Sequence, residues 1–266
     1  MSDVPAPSPA RRAFPPNWPL RIGLVALALY VFYASSILNI TWARFVEGFG
    51  HGGRFLSRMF PPNFAADKLA LLYSGMFESL QIAILATVFG ILFSVPLGLA
   101  AARNLSFAPL AWFTRGLIAL LRSFHPVILA ILFVKAVGFG ALAGVLALIV
   151  ASMGFLSKLI AEAAEEISMK QMEAIRATGA PFLSVLVIAV APQIMPRFIG
   201  FSAYQLDSNL RNSALVGLVG GGGIGATLFT AFQRFDYDFV LTIVLAIIFT
   251  VTVGEILSGW MRRLFQ

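Results

Sequence analysis

Cysteine is absent from the 266 residues, and histidine occurs only at His51 and His125. That excludes disulfides, thiolate nucleophiles and Cys-based zinc sites, and two histidines so far apart make no metal motif. Charge is scarce as well. Asp, Glu, Lys and Arg make up 12% of the chain, about half the share of an ordinary soluble domain. What takes their place is apolar: 59% of residues are hydrophobic, and mean hydropathy is +0.88. A soluble core could not hide that much apolar surface, so lipid is the expected solvent. The fold class is all-α, a polytopic membrane protein. The net charge of +7 suits anionic headgroups, and no basic run interleaved with aromatics points to nucleic acid.

A helix needs about 20 apolar residues to cross a hydrocarbon core of about 30 Å. Runs of that kind fall at 22–40, 77–101, 110–134, 139–155, 182–204 and 239–260, which predicts six transmembrane helices. Residues 1–19 hold six of the fourteen prolines together with Arg11 and Arg12 and read as a disordered cytoplasmic tail. Residues 20–76 then form an N-terminal transmembrane helix and a surface loop, in which Arg44, Arg54, Arg58 and Lys68 among Phe, Leu and Met suggest amphipathic pieces at the membrane surface. Residues 77–266 form the core. With both termini in the cytoplasm, the inner segments hold ten basic residues against seven outside, a weak preference by the positive-inside tendency.

The polar interval 156–181 is the most informative. Its Glu-Ala-Ala-Glu-Glu and Met-Glu-Ala-Ile-Arg-Ala-Thr runs are strong helix formers. Gly179 followed by Pro181 is a stop and a restart, since Gly suits the residue past a helix end and Pro suits the first turn of the next. Met169, Met172 and Ile175 recur every three residues and give the short helix an apolar stripe. Methionine adapts to a partner's surface, so a groove on a cytoplasmic partner is the expected destination of that stripe.

Within this helix Glu173-Ala174-Ile175, then Gly179 and Pro192, resembles the EAA signature of ABC importer permeases: Glu-Ala-Ala, three residues, Gly, and a Pro thirteen residues later. Two positions depart, with Ile175 in place of Ala and Ala189-Val190-Ala191 before the final Pro. The earlier Glu162-Ala163-Ala164 lacks the Gly, because Ser168 stands there. Glu78-Ser79-Leu80 through Thr87, Gly90, Pro96 and Gly98 is similar to the opening core helix of these permeases. Arg122-Ser123-Phe124-His125-Pro126 looks like their Arg-Ser-x-Pro stretch with one residue more. Asn212-Ser213-Ala214, Leu218-Val219 and the glycines of 220–225 are similar to the segment before the last helix in the phosphonate, phosphite and hypophosphite branch.

The resemblance implies a type I ABC importer permease fold in the bacterial inner membrane, with a coupling helix at about 160–180 facing the cytoplasm. It implies a second permease copy, as a homodimer, and two ATP-binding cassette subunits. It also implies a periplasmic or lipid-anchored solute-binding protein. The permease itself would carry no cofactor and no catalytic group; ATP would be bound and hydrolysed by the partner. The cargo would be a phosphonate, phosphite or hypophosphite, or else another small solute. Met169, Met172, Glu173, Ala174, Ile175, Arg176 and Gly179 are then the ATPase-coupling residues.

Candidates for the translocation path are Arg122, His125, Asn212 and Gly220, Gly221, Gly222 and Gly223. An intramembrane cation is costly unless paired or in a wet cavity, and a guanidinium suits a small oxyanion. Against that path role stand snorkelling of Arg122 to the headgroups, or an ion pair with Asp207 or Glu78. His125 reads as a packing or hydrogen-bonding residue as readily as a path residue, and Pro126 as a kink. Asp207, Asn209, Arg211 and Asn212 either line the path or pair locally. The glycines allow irregular backbone at membrane depth, as a gate, a flexible loop or a tight helix contact. Gly220-x-Gly222-x-x-Gly225 matches a dinucleotide fingerprint on paper, yet no strand and amphipathic crossover helix frame it. Glu255, Arg262 and Arg263 read as interface anchors. An ion-coupled secondary transporter is the other class to weigh. It calls for central carboxylates or inverted repeats, and the spans show neither.

Overall fold

The computed structural model describes residues 18–38 and 41–265, and among them there is helix and no strand. Most of the expected 1–19 tail lies outside the described residues, as do the end of the first expected span and the side chain of Arg262. The chain divides into two units, Met1–Ser57 and Arg58–Gln266.

In the first unit, α1 (Trp18–Ile37) has no buried residue and is apolar around its whole circumference. Such a helix is stable only with lipid on every side or a partner on one. α2 (Trp42–Met59), which continues into the second unit, is amphipathic. Trp42, Phe45 and Phe49 follow one another a turn apart, with ring centroids 5.4 and 5.0 Å apart.

The second unit is built on α3 (Ala66–Ala101) and α6 (Ala141–Glu165). α3 starts eleven residues before the expected 77, so the expected boundary between 76 and 77 falls inside one helix. Lys68 is why the sequence misled: its charge, which looked like a loop, is held by Asp236 at 2.7 Å and Asp238 at 3.6 Å. At 1.5 Å per residue α3 runs about 54 Å, well beyond the hydrocarbon core. α3 and α6 pack through small residues, the usual way for helices in lipid to bring backbones together. A β-carbon on Gly90 would lie 2.6 Å from Ser152 Cβ, and one on Gly98 2.8 Å from Ile160 Cβ.

The expected span 110–134 is not one kinked helix. It is α4 (Ala108–Ser123) and α5 (Pro126–Val137), meeting at 88°. Phe124 and His125 are extended, as the residue before a proline prefers, and Pro126 opens α5 at its first position. His125 caps α5, its Nδ1 accepting from the Val127 amide at 3.3 Å.

α6 runs ten residues beyond the expected 155. The helix expected at about 160–180 is therefore split between the end of α6 and α7 (Met169–Ala177), which stops before Gly179 at φ +77°. After α8 (Phe182–Val185) comes a π-helical turn, Leu186–Val190, and then α9 (Ala191–Leu218). Pro192 explains the π turn: it has no amide for the carbonyl of Ile188 and its ring crowds that oxygen, so the helix widens. α9 extends fourteen residues past the expected end at 204. α10 (Gly223–Gln233) and α11 (Tyr237–Phe265) complete the unit. Among the described residues five stretches are long and apolar enough to cross a membrane, or six with α4 and α5 counted as one broken span.

Candidate functional site

The segment around α7 is built from three chain regions. Glu165, at the end of α6, accepts from the Arg103 amide at 2.8 Å and from Arg115 Nη2 at 2.6 Å. Asn104 Nδ2 donates to the Ala164 carbonyl at 2.6 Å, and Arg197 pairs with Glu166. Gln193 lies one residue past Pro192 and serves both sides: its Nε2 donates to the Ala189 carbonyl at 2.7 Å, and its Oε1 accepts from the Ser168 amide at 2.9 Å. So the turn before α7 is fastened to the widened start of α9.

α7 itself divides its residues differently from the expected stripe. Met172 is fully buried in its own chain, among Ala102, Ala163, Ala164, Val185, Ala189, Val190 and Ile194, and Ile175 packs on the same cluster. Met172 is not free to enter a partner's groove, and half-buried Ile175 keeps only part of its surface for one. This corrects the sequence reading; with a preceding helix and a following helix within reach, the stripe finds apolar cover in its own chain. Met169, Glu173, Ala174 and Arg176 are exposed, as is Gly179 past the helix end. Those five belong to the outward surface of the segment, with Lys170, Gln171, Ala177 and Thr178.

A second constellation lies at mid-helix. Gln205, Ser208, Asn209 and Asn212 recur at helical spacing on one face of α9. Asn209 is buried and donates from Nδ2 to Thr87 Oγ1 on α3 and to Ser152 Oγ on α6, both at 3.0 Å. Gln205 Nε2 donates to Ser152 Oγ at 2.9 Å and to Asn209 Oδ1 at 3.0 Å. Thr87 in turn donates to the Ala83 carbonyl at 2.7 Å. The network joins three helices with its amide donors used up inside it. Thr87 is fourteen residues from Ala101, about 21 Å along α3 from its C-terminal end.

Beside this network is a cavity of about 300 Å³ between the α4–α5 bend, α6 and α9. Arg122, Tyr204, Ser208 and Asn212 line it together with Phe124, Pro126 and Phe155. Phe155 stacks on Tyr204 with centroids 5.6 Å apart. No Asp or Glu lines the cavity. Arg122 also lines a smaller cavity of about 190 Å³ with Arg115, Lys158 and Glu162. A third groove, of about 280 Å³ along Val95, Leu99, Val187 and Phe198, has only apolar walls and offers nothing to a polar solute.

The structure therefore brings Arg122, Asn209 and Asn212 to one cavity. It does not bring Asp207 to Arg122. Asp207 pairs with Arg211 one turn on at 2.5 Å, on another face of α9. Among the described residues Arg122 has no ion-pair partner, Glu78 included. His125 is the cap of α5 and does not line the cavity. Gly220 to Gly223 also lie elsewhere, in a close-packed turn between α9 and α10. A β-carbon on Gly222 would come 2.7 Å from the Ala141 amide nitrogen and from Glu78 Oε1, and one on Gly223 would strike the Ser79 hydroxyl. That hydroxyl accepts from the Ile224 amide at 2.8 Å. Of the expected roles for the glycines, tight helix contact is the one with this geometry. Gln205, Ser208 and Tyr204 were missed as site residues. Their signal was the spacing 205, 208/209, 212, which is one helix face.

Residues 94–266 match the family described as binding-protein-dependent transport system inner membrane component. The chain is 40% identical over 243 residues to the phosphate-import permease protein PhnE of Mycolicibacterium smegmatis, an alignment covering 91% of this chain and 44% of that one. The chain thus spans less than half of that relative's length. It is 34% identical over 260 residues to the phosphite transport system permease protein PtxC of Stutzerimonas stutzeri, covering 96% of this chain and 93% of the relative. Among solved structures, an inward-facing form of the MetNI methionine ABC transporter superposes with a TM-score of 0.68 at 22% identity, over 76% of this chain and 100% of that chain. A bacterial ABC transporter involved in alginate import gives 0.59 at 15% identity, over 92% and 98%.

Proposed function

The chain belongs to the family of binding-protein-dependent transport system inner membrane components, and from that premise we propose that it is the transmembrane permease subunit of an ATP-driven importer. Its cargo is a small phosphorus oxyanion, a phosphonate, phosphite, hypophosphite or phosphate, the class named for its relatives. The observation that carries the coupling role is the construction of α7. It is a nine-residue helix between two spans, anchored inward by Met172 and displaying Met169, Glu173, Ala174 and Arg176 outward.

In this reading two copies of the chain form the pore, and two cytoplasmic ATPase subunits each grip one α7. A binding protein on the opposite side delivers the solute. ATP is bound and hydrolysed by the partner, and closure of the ATPases rocks the permease helices between inward and outward states, a rigid-body switch. α7 and both termini then face the cytoplasm.

The test is transport by the complete assembly. The chain copurifies with its ATPase, and uptake of phosphite or methylphosphonate stops when the ATPase is inactivated by mutation. Glu173→Ala weakens ATPase docking in the same assay. Uptake driven by an ion gradient with the ATPase inactive refutes the proposal, as does labelling of residues 169–178 by an impermeant reagent from outside the cell.

A further inference from the structure

The Arg122 cavity has an unusual inventory. Arg122 contributes N–H donors in a fixed fork, and Tyr204 and Ser208 contribute hydroxyls. Asn212 has a two-hydrogen amide, of which one hydrogen is committed to Ser208 Oγ at 3.3 Å. That leaves the Ser208 proton and the second Asn212 hydrogen for a guest. Neither Asp nor Glu lines the space, so no fixed negative charge opposes an anion. Asn209 and Gln205 also line the space, but their amides are held by Ser152 and Thr87, which fixes the face of α9 that presents Ser208 and Asn212.

Arg122 is the second observation, independent of the polar stripe. It stands in the last turn of α4, at the 88° bend in the middle of the apolar α4–α5 span, with no carboxylate paired to it among the described residues. A cation at such depth needs water or a counter-ion. Its place is rigidly set. Gly154 on α6 lets the α4 backbone approach so closely that a β-carbon there would lie 3.1 Å from the Arg122 amide nitrogen and 3.0 Å from its Cγ.

Resting on the oxyanion reading above, we infer that this cavity is an intramembrane binding site for the travelling solute, in which Arg122 takes two oxygens of a tetrahedral phosphorus oxyanion and Ser208, Asn212 and Tyr204 take the others. The mobile anion is the counter-ion that Arg122 lacks. A guanidinium matches two oxygens of such an anion in a way an ammonium does not. Arg122 also borders the smaller cavity where Arg115 and Lys158 stand, each already matched by Glu165 and Glu162. An anion leaving toward the coupling end thus meets neutralised pairs and is not trapped again.

The experiment uses the complete importer in phosphatidylcholine proteoliposomes, reading phosphite uptake and ATP hydrolysis together. Arg122→Gln lowers phosphite moved per ATP by about tenfold or more, while hydrolysis stimulated by the loaded binding protein persists. Arg122→Lys recovers part of the loss. Asn212→Leu, which keeps the cation and serves if Arg122→Gln does not assemble, lowers the same ratio several-fold. The headgroup phosphate is constant throughout, so saturable binding of free phosphite to the wild-type importer, lost in Arg122→Gln, separates solute from lipid. If Arg122→Gln and Asn212→Leu move as much phosphite per ATP as wild type, the site is refuted and the importer reading stands. If the wild-type importer moves neither phosphite, methylphosphonate nor phosphate, the oxyanion reading falls and the site with it.

Discussion

The backbone of Arg122 rests directly on Gly154, so closely that a β-carbon there would sit 3.1 Å from the Arg122 amide nitrogen, tighter than an ordinary contact. One helix holds the cation and another supplies the notch that seats it. Gly154→Ala therefore pushes α4 outward by several tenths of an ångström, at a cost of about 1–3 kcal/mol as overpacking. The expected outcome is a lower melting temperature in detergent and reduced phosphite uptake with ATPase docking unchanged. Gly116→Ala on the open face of α4, where nothing lies within 4 Å, changes neither.

Met172 and Met169 are three residues apart yet face opposite duties. Met172→Ala empties a fully buried position and costs about 2–5 kcal/mol. It frees α7 from its anchor, which hydrogen exchange across residues 166–181 detects as lost protection. Met169→Ala, at an exposed position, leaves stability within about 0.5 kcal/mol and acts on ATPase affinity alone.

Asn209→Leu removes the hub of the buried network. Thr87, Ser152 and Gln205 each lose a partner at mid-helix, and stability falls by about 1–3 kcal/mol. Combined with Ser152→Ala, the loss is smaller than the sum of the single losses by at least about 0.5 kcal/mol, since the two share hydrogen bonds. Strict additivity in thermal unfolding contradicts the network.

Gly223 holds φ +70° against Ser79. Gly223→Ala combines a left-handed strain of about 1–2 kcal/mol with displacement of the hydroxyl that receives the Ile224 amide. Yield of monodisperse protein drops. Gly259→Ala, with open space around it, is the matched control.

Much of this architecture could be read from residue order, and the failures share one cause. Spans appear as apolar runs, and Gly179 and Pro181 mark the end of α7 and the restart after it by backbone chemistry alone. Lys68 and the run from Gln205 to Asn212 fall outside the apolar runs because hydropathy scores a residue without its partners. Asp236 lies 168 residues from Lys68, and Thr87 lies 122 from Asn209; no local window contains both members. The same blindness put Met172 in a partner's groove, since its cover is supplied by residues on either side of α7 in sequence. Arg122 and Asn212 stand out in the sequence alone, but Tyr204, Gln205 and Ser208 join them only because α9 continues past Tyr204.

Gln193 ties the turn before α7 to the start of α9, and the far half of α9 carries the wall that faces Arg122. In the proposed importer, grip and cargo surface therefore share a single rod. A tug on α7 would reach the helix that carries the polar wall through Gln193 directly, with no chain of intermediaries.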